Sequence, residues 1–302
     1  MSKNLVIVGA GTLGCRVAHL WKLQYPDADV YLKTRTAKEE RDAKWMALGF
    51  NPIHGEDATK APFVVFSAPP SGNIAIATAV FAIFIYGINV RFFFADDYVE
   101  QMKKAIANHL DKSSNSCFIF TSSGGVYSEN AGGVVDETSA VKSDHPYSRR
   151  ILDAEEQVIS VGGCVLRFGG LYTLARGAHN YWLNTGNPPF SSSPDGLINL
   201  IHYDDAADAV IAAMQKPEAS GETFLVSDGF PISRKNITLA GIKNPKFAEK
   251  SEPQFTGEPT VDGKKYDNGK VKEKLNWKPN HENFDTFMEK TYTAERDVPL
   301  LD

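Results

Sequence analysis

"VIVGAGTLGCRVA", residues 6 to 18, decides the fold. A β-branched run ends in Gly9, and Gly9, Gly11 and Gly14 stand in the order G-x-G-x-x-G ahead of a helical pattern in which Leu13, Val17, Leu20 and Trp21 share one face. Each glycine answers a separate demand of a strand-to-helix turn that meets a pyrophosphate. The first makes the tight turn, the second lets backbone approach the anion, and the third lets helix and strand pack closely. The N–H groups and dipole of the helix start supply the attraction. Gly9, Gly11, Thr12, Leu13 and Gly14 are therefore candidate contacts to a dinucleotide. The alternative is a glycine-rich turn with no ligand. Position argues against it, because a second strand ends about twenty residues on, as a dinucleotide site requires.

That second strand, "DVYLKTR", sets the choice of cofactor. An NAD site wants a carboxylate here for the ribose 2′-hydroxyl, and the chain offers Lys33 and Arg35 with no acid. Arginine can fork around a 2′-phosphate, so NADP(H) is expected ahead of NAD, with Arg35 as its contact. The other reading of Arg35 is a solvated charge at a strand end. Asp57, in "HGEDA" after the third strand, is a candidate acceptor for the adenine amine. Ser67, Ala68 and Pro69, in the "SAPPS" turn after the fourth strand, complete the expected cofactor contacts.

Working outward, "FNPIHG", "FVVFSAP", "CFIFTSS", "GCVLRFG" and "ETFLVSD" continue the series of short β-branched or aromatic runs, separated by helical patterns. The expectation is an α/β protein with a doubly wound parallel sheet of the Rossmann type and a smaller C-terminal lobe for the substrate. Residues 1–170 form the sheet domain, with a return near 197–227, and 171–196 with 228–302 form the lobe.

In their order and spacing, further motifs resemble the short-chain dehydrogenase/reductases, in the extended and atypical branches related to nucleotide-sugar epimerases and dehydratases. They are "TSSGGVY", "HPY", "LRFGGLY", "NLIHYDDAADAV" and "YDNGKVKEKLNWKP". "RGAHNYWL" and "NLIHY" are similar to an uncharacterised subgroup of plants and algae. The resemblance implies that Ser123 hydrogen-bonds a substrate oxygen and that Tyr147, 24 residues on, gives or takes the proton. It also implies a lysine four residues after the tyrosine, and here that position holds Ile151. A phenol near 10 must fall by roughly three pH units to act as a base at neutral pH, and isoleucine supplies none of that. Two readings stay open. Arg150, on the same helical face, brings a cation to the phenol without any part in a proton relay. Otherwise both Arg149 and Arg150 are solvated and Tyr147 is structural. In the lobe, Arg176, His179 and Asn180 are candidate substrate contacts, with structural roles as the alternative. His202 is expected to order the loop before its helix.

The remaining expectations are broader. A net charge of −5 with scattered cations points to a small-molecule partner and away from nucleic acid. Cys15, Cys117 and Cys164 are far apart and set in apolar runs, so reduced core thiols are expected, with neither a disulfide framework nor a metal. The start of the chain leaves no room for a cleavable leader, which makes the cytoplasm the expected compartment, or a plastid if the native N-terminus is longer. Ala61 to Val90 carries no charge, and within it "IAIATAVFAIFIYGINV" approaches the length of a membrane span. A span is not expected, because one crossing would divide a single sheet domain across the bilayer. An atypical insertion at 74–95 remains, read as an apolar contact such as a homodimer interface, or as a segment foreign to the native protein, for instance a retained intron.

Overall fold

The computed structural model describes residues 2–70, 97–111, 116–185 and 189–290. The expected insertion at 74–95 lies outside the described residues. Seven strands form one parallel sheet: β1 (Leu5–Val8), β2 (Val30–Thr34), β3 (Asn51–His54), β4 (Phe63–Phe66), β5 (Cys117–Ser123) and, after a short β6 (Ala131–Val135), β7 (Cys164–Phe168), with a last member, β11, at Thr223–Val226. Between β7 and β11 lie β8 (Gly170–Tyr172), β9 (Leu197–Ile198) and β10 (Leu200–His202). Beyond β11 come β12 (Ile232–Ser233) and β13 (Gly263–Tyr266). The sheet order is β11-β7-β5-β4-β1-β2-β3, and all seven runs anticipated as its strands are in it. β1 pairs with β2 on one side and with β4 on the other, in parallel register (Leu5 opposite Val30 and Phe63). The order therefore reverses at the end of β1, where the crevice of an open α/β sheet receives its ligand.

Alternation along the strands explains the two layers around the sheet. Leu5, Ile7, Phe63, Val65, Ile119, Leu166, Phe224 and Val226 pack with α1 (Thr12–Gln24) and a late helix, Tyr203–Gln215. Val64, Phe66, Phe118, Phe120, Val165 and Leu225 face the opposite side. After α2 (Glu39–Ala47), that side is covered by α3 (Asp97–His109) and α4 (Pro146–Ser160). Burying each large apolar side chain stabilises the fold by about 1.5–3 kcal/mol, which is why β-branched and aromatic runs outcompete every other arrangement of these segments.

A separate core joins Tyr172, Trp182, Phe190, Ile237, Phe284, Phe287 and Met288. Its helices are α5 (Ala178–Asn184), α7 (Arg234–Lys243) and α9 (Phe284–Glu289). The helix Tyr203–Gln215 is α6, and α8 (Gly269–Leu275) falls between α7 and α9. Although α8 belongs to the stretch expected in the lobe, Val271, Leu275 and Trp277 pack into the sheet's core, so the two cores interleave along the chain. β13 pairs with β6, bringing late sequence beside the turn that follows β5.

A clasp fixes the start of α6. His202 caps it, its Nδ1 accepting the Asp204 N–H at 3.2 Å, and so orders the loop as expected. The Arg16 guanidinium meets Asp204 at 3.0 Å. Asp205 accepts the N–H groups of Asn280 (2.8 Å) and His281 (3.1 Å), with His281 Nδ1 at 3.0 Å. His202, Asp204 and His281 offer donor atoms within 4.8 Å of one another. Arg16 already neutralises the one carboxylate of that set, and the two imidazoles stack at 3.9 Å, so packing and capping account for the group. Among the described residues, no helix is long and apolar enough to cross a membrane.

Candidate active site

The three glycines divide their work as the turn demands. Gly9 has φ +89°, and a Cβ there would lie 2.4 Å from the Ala68 backbone nitrogen. A Cβ on Gly14 would lie 2.7 Å from Ile7 Cγ2 and 2.8 Å from the Gly9 carbonyl. Around Gly11 nothing comes within 4 Å of that position, and the residue is exposed. Gly11 is the N-cap of α1, no side chain caps the helix, and its first turn holds no acid. Unsatisfied N–H groups therefore face open space beside Thr12, while Leu13 anchors the helix in the core. Opposite stands the turn after β4, where the Ser67 N–H donates to the Val8 carbonyl at 2.8 Å, Ala68 lies against Gly9, and Pro69 is exposed. The donor set and the open approach fit a pyrophosphate.

The cations at the end of β2 are not equivalent. Lys33 donates to the Asp57 carbonyl at 2.6 Å, and burial holds its pKa below the ordinary lysine value. The Asp57 carboxylate accepts the hydroxyl and N–H of Thr59, which keep its pKa low. Arg35 is exposed and, among the described residues, has no ion-pair partner. Beside it the structure adds Arg41, which sequence reasoning missed because it reads as a solvated charge at the start of α2. Its Nη2 donates to Thr34 Oγ1 and to the Thr36 carbonyl, both at 2.9 Å, and its guanidinium lies 4.6 Å from the Trp45 ring centroid. Asp42, the buried acid in the first turn of α2, is taken up by Arg41 at 2.9 Å and by His54 at 3.0 Å.

At the end of β5, Ser123 caps a short 3₁₀ turn, its Oγ accepting the Gly125 N–H at 3.1 Å. α4 packs on β5 and on that turn, which brings the Tyr147 end of the helix to the same edge of the sheet. Below them Glu155 accepts from Ser122 at 2.6 Å and pairs with Arg167 through two N–H donors (2.6 and 3.0 Å). This buried pair ties α4 to β5 and β7 and so fixes the helix that carries Tyr147.

Tyr147 is half-buried, and burial pushes its phenol above the ordinary value. The Arg150 guanidinium, 5.8 Å from the ring centroid, counters that only in part. Ile151 is 3% exposed and packs in the apolar layer with Tyr98, Phe120 and Val158. Near neutral pH Tyr147 is therefore a protonated phenol, able to donate a proton.

The lobe candidates separate. Arg176 is exposed on a tight turn closed by mutual hydrogen bonds with Thr173. His179, expected at the substrate, is fully buried between Phe247 and Phe284, and burial lowers its pKa to about 4. Asn180 spends its amide on the Ala175 carbonyl. Both side chains are consumed in closing their own loop. Late in the chain, Tyr266 packs its phenol against Gly124, where a Cβ would lie 2.4 Å from the hydroxyl. Nothing in the sequence around Tyr266 announced that contact.

No protein-family model and no curated protein matches the chain. Solved structures do. A UDP-glucuronic acid 4-epimerase from Bacillus cereus, in complex with NAD and a UDP-sugar, is 16% identical with a TM-score of 0.69, over 96% of this chain and 98% of that one. A UDP-glucose 4-epimerase from Thermotoga maritima with UDP-glucose is 18% identical (TM-score 0.67), over 95% of this chain and 97% of that one. A dTDP-glucose 4,6-dehydratase from Bacillus anthracis in complex with NAD is 14% identical (TM-score 0.66), over 95% and 94%. The chain has the fold of these two epimerases and this dehydratase over nearly its whole length.

Proposed function

We propose that this chain, with the fold of the short-chain-type epimerases and dehydratases, binds a nicotinamide dinucleotide at the switch point of its sheet and reduces a carbonyl on a small polar substrate. The observation that carries the cofactor reading is the cradle: a backbone turn closed by Gly9 and Gly14 and left open at Gly11, at an uncapped helix start. NADP(H) is the preferred form, because Arg35 stands exposed beside Arg41 and Asp42 is neutralised. Two of the solved structures named above, the Bacillus cereus epimerase and the Bacillus anthracis dehydratase, are complexes with NAD, so the preference rests on these side chains. Arg35→Ala should weaken NADPH about tenfold or more and leave NADH within about twofold. Equal losses would refute the preference.

The direction of chemistry follows from Tyr147. When bound, the cofactor supplies or accepts a hydride. Ser123 keeps its hydroxyl proton available for a substrate oxygen, its oxygen already taking the Gly125 N–H. Tyr147, held protonated by burial, gives its proton to the oxygen of the carbonyl being reduced and regains one from water. Arg176, exposed on its turn, is the proposed contact from the lobe to a polar substrate. Loss of turnover in Tyr147→Phe across a panel of carbonyl and nucleotide-sugar compounds supports this mechanism, and undiminished turnover removes Tyr147 from it. A second reading is favoured by Ile151. Without an ammonium beside the phenol, the chain is a dinucleotide-binding scaffold or sensor that has lost efficient chemistry. Tight cofactor binding with no turnover on the panel would support it.

A further inference from the structure

We infer that Tyr98 is a positioning residue of the cofactor cleft, its buried hydroxyl holding the Ala68 carbonyl and thereby setting the loop that opposes Gly9. The inference rests on the dinucleotide reading of that cleft. Tyr98 lies in the first turn of α3, is 3% exposed, and donates to the Ala68 carbonyl at 3.0 Å. Its ring meets Phe66 edge-on at 5.9 Å and lies 6.3 Å from Phe120. Phenylalanine would fill that apolar site without the cost of burying a hydroxyl, so the hydrogen bond is the part of Tyr98 that packing does not explain. The Ala68 backbone is held at both of its ends. Its nitrogen is so close to Gly9 that no side chain fits there, and its carbonyl is pinned by Tyr98. The Ser67–Pro69 turn therefore cannot drift toward or away from the open ground at Gly11 while the bond stands. α3 packs on α4, and Tyr98 and Tyr147 belong to one apolar cluster, which places the turn, α3 and the start of α4 at one junction.

The test is Tyr98→Phe, titrated with NADPH and with 2′-phospho-AMP, which lacks the pyrophosphate bridge and the nicotinamide half. The expected result is a loss of about tenfold for NADPH, with 2′-phospho-AMP unchanged within about twofold. Phe66→Leu disturbs the same packing but keeps the hydroxyl. It should lower the thermal midpoint without separating the two ligands. Equal losses for both ligands in Tyr98→Phe, or no loss, would overturn the inference while leaving the cleft intact. A wild-type chain that binds neither NADPH nor NADH would overturn the reading of the cleft, and this inference with it.

Discussion

Replacing Ile151 by lysine would put an ammonium where the resemblance expects one, and the structure predicts that the protein pays heavily for it. Ile151 is 3% exposed in an apolar layer that includes Val64, Phe66 and Phe120. Loss of the isoleucine's packing costs about 2 kcal/mol. An ammonium in that layer, with Arg150 as a neighbouring cation on the same helix, has its pKa driven down. Each unit is ~1.4 kcal/mol, so a fall of about two adds ~3 kcal/mol at neutral pH. The sign gives a second handle. A lysine with a folded pKa below its unfolded value near 10.4 binds fewer protons when folded. Its charge penalty is therefore absent above about pH 10.4 and grows as pH falls toward the folded value. Urea unfolding of Ile151→Lys should show a deficit of about 5 kcal/mol at pH 7 that shrinks toward ~2 kcal/mol near pH 10. A variant as stable as wild type at pH 7, with faster turnover, would show that position 151 faces the cleft and that the burial argument is wrong.

Two further predictions address the frame of the site. Glu155→Ala leaves Arg167 buried without its counter-ion and should cost about 3–5 kcal/mol by chemical denaturation, whereas an effect under about 1 kcal/mol would mean the pair is hydrated. Asp228 is buried beside Asp205, and burial raises its pKa to about 7, so the folded state binds extra protons between about pH 4 and pH 7 and loses stability as pH rises through that window. Asp228→Asn should remove this slope and gain up to ~4 kcal/mol over wild type at pH 8, with little gain at pH 4. A gain independent of pH would refute the assignment.

What the sequence revealed and concealed follows from where each residue finds its partner. The strands were legible because parallel strands buried on both faces must be nearly continuous β-branched and aromatic runs, as "FVVF" and "CFIF" are. β6 and β13 were not, since "AGGVV" and "GKKY" form a two-stranded ribbon outside the main sheet. The cofactor turn was legible because no other residue can replace Gly9 at φ +89° against Ala68. Lys33 and Arg35 looked alike as charges, yet Lys33 is tied to a carbonyl from 24 residues away. His179 and Arg176 likewise sit in one motif, and only the fold of the turn sends one into an aromatic core and the other to the surface. Tyr98 was hidden for a similar reason, its partner being a backbone carbonyl 30 residues earlier.

Gly11→Asp tests the central claim most directly. Gly11 has φ −87° and ψ −165°, an extended conformation open to any residue, and its Cβ would meet nothing within 4 Å. Aspartate is a good N-cap and adds negative charge at the helix start, so the fold should hold or gain a few tenths of a kcal/mol. The same carboxylate would occupy the ground assigned to the pyrophosphate. Calorimetric titration with NADPH should show one saturable site in the wild type and a loss of about a hundredfold or more in the variant, at an equal or higher thermal midpoint. Undiminished NADPH binding by a folded Gly11→Asp protein would contradict the account.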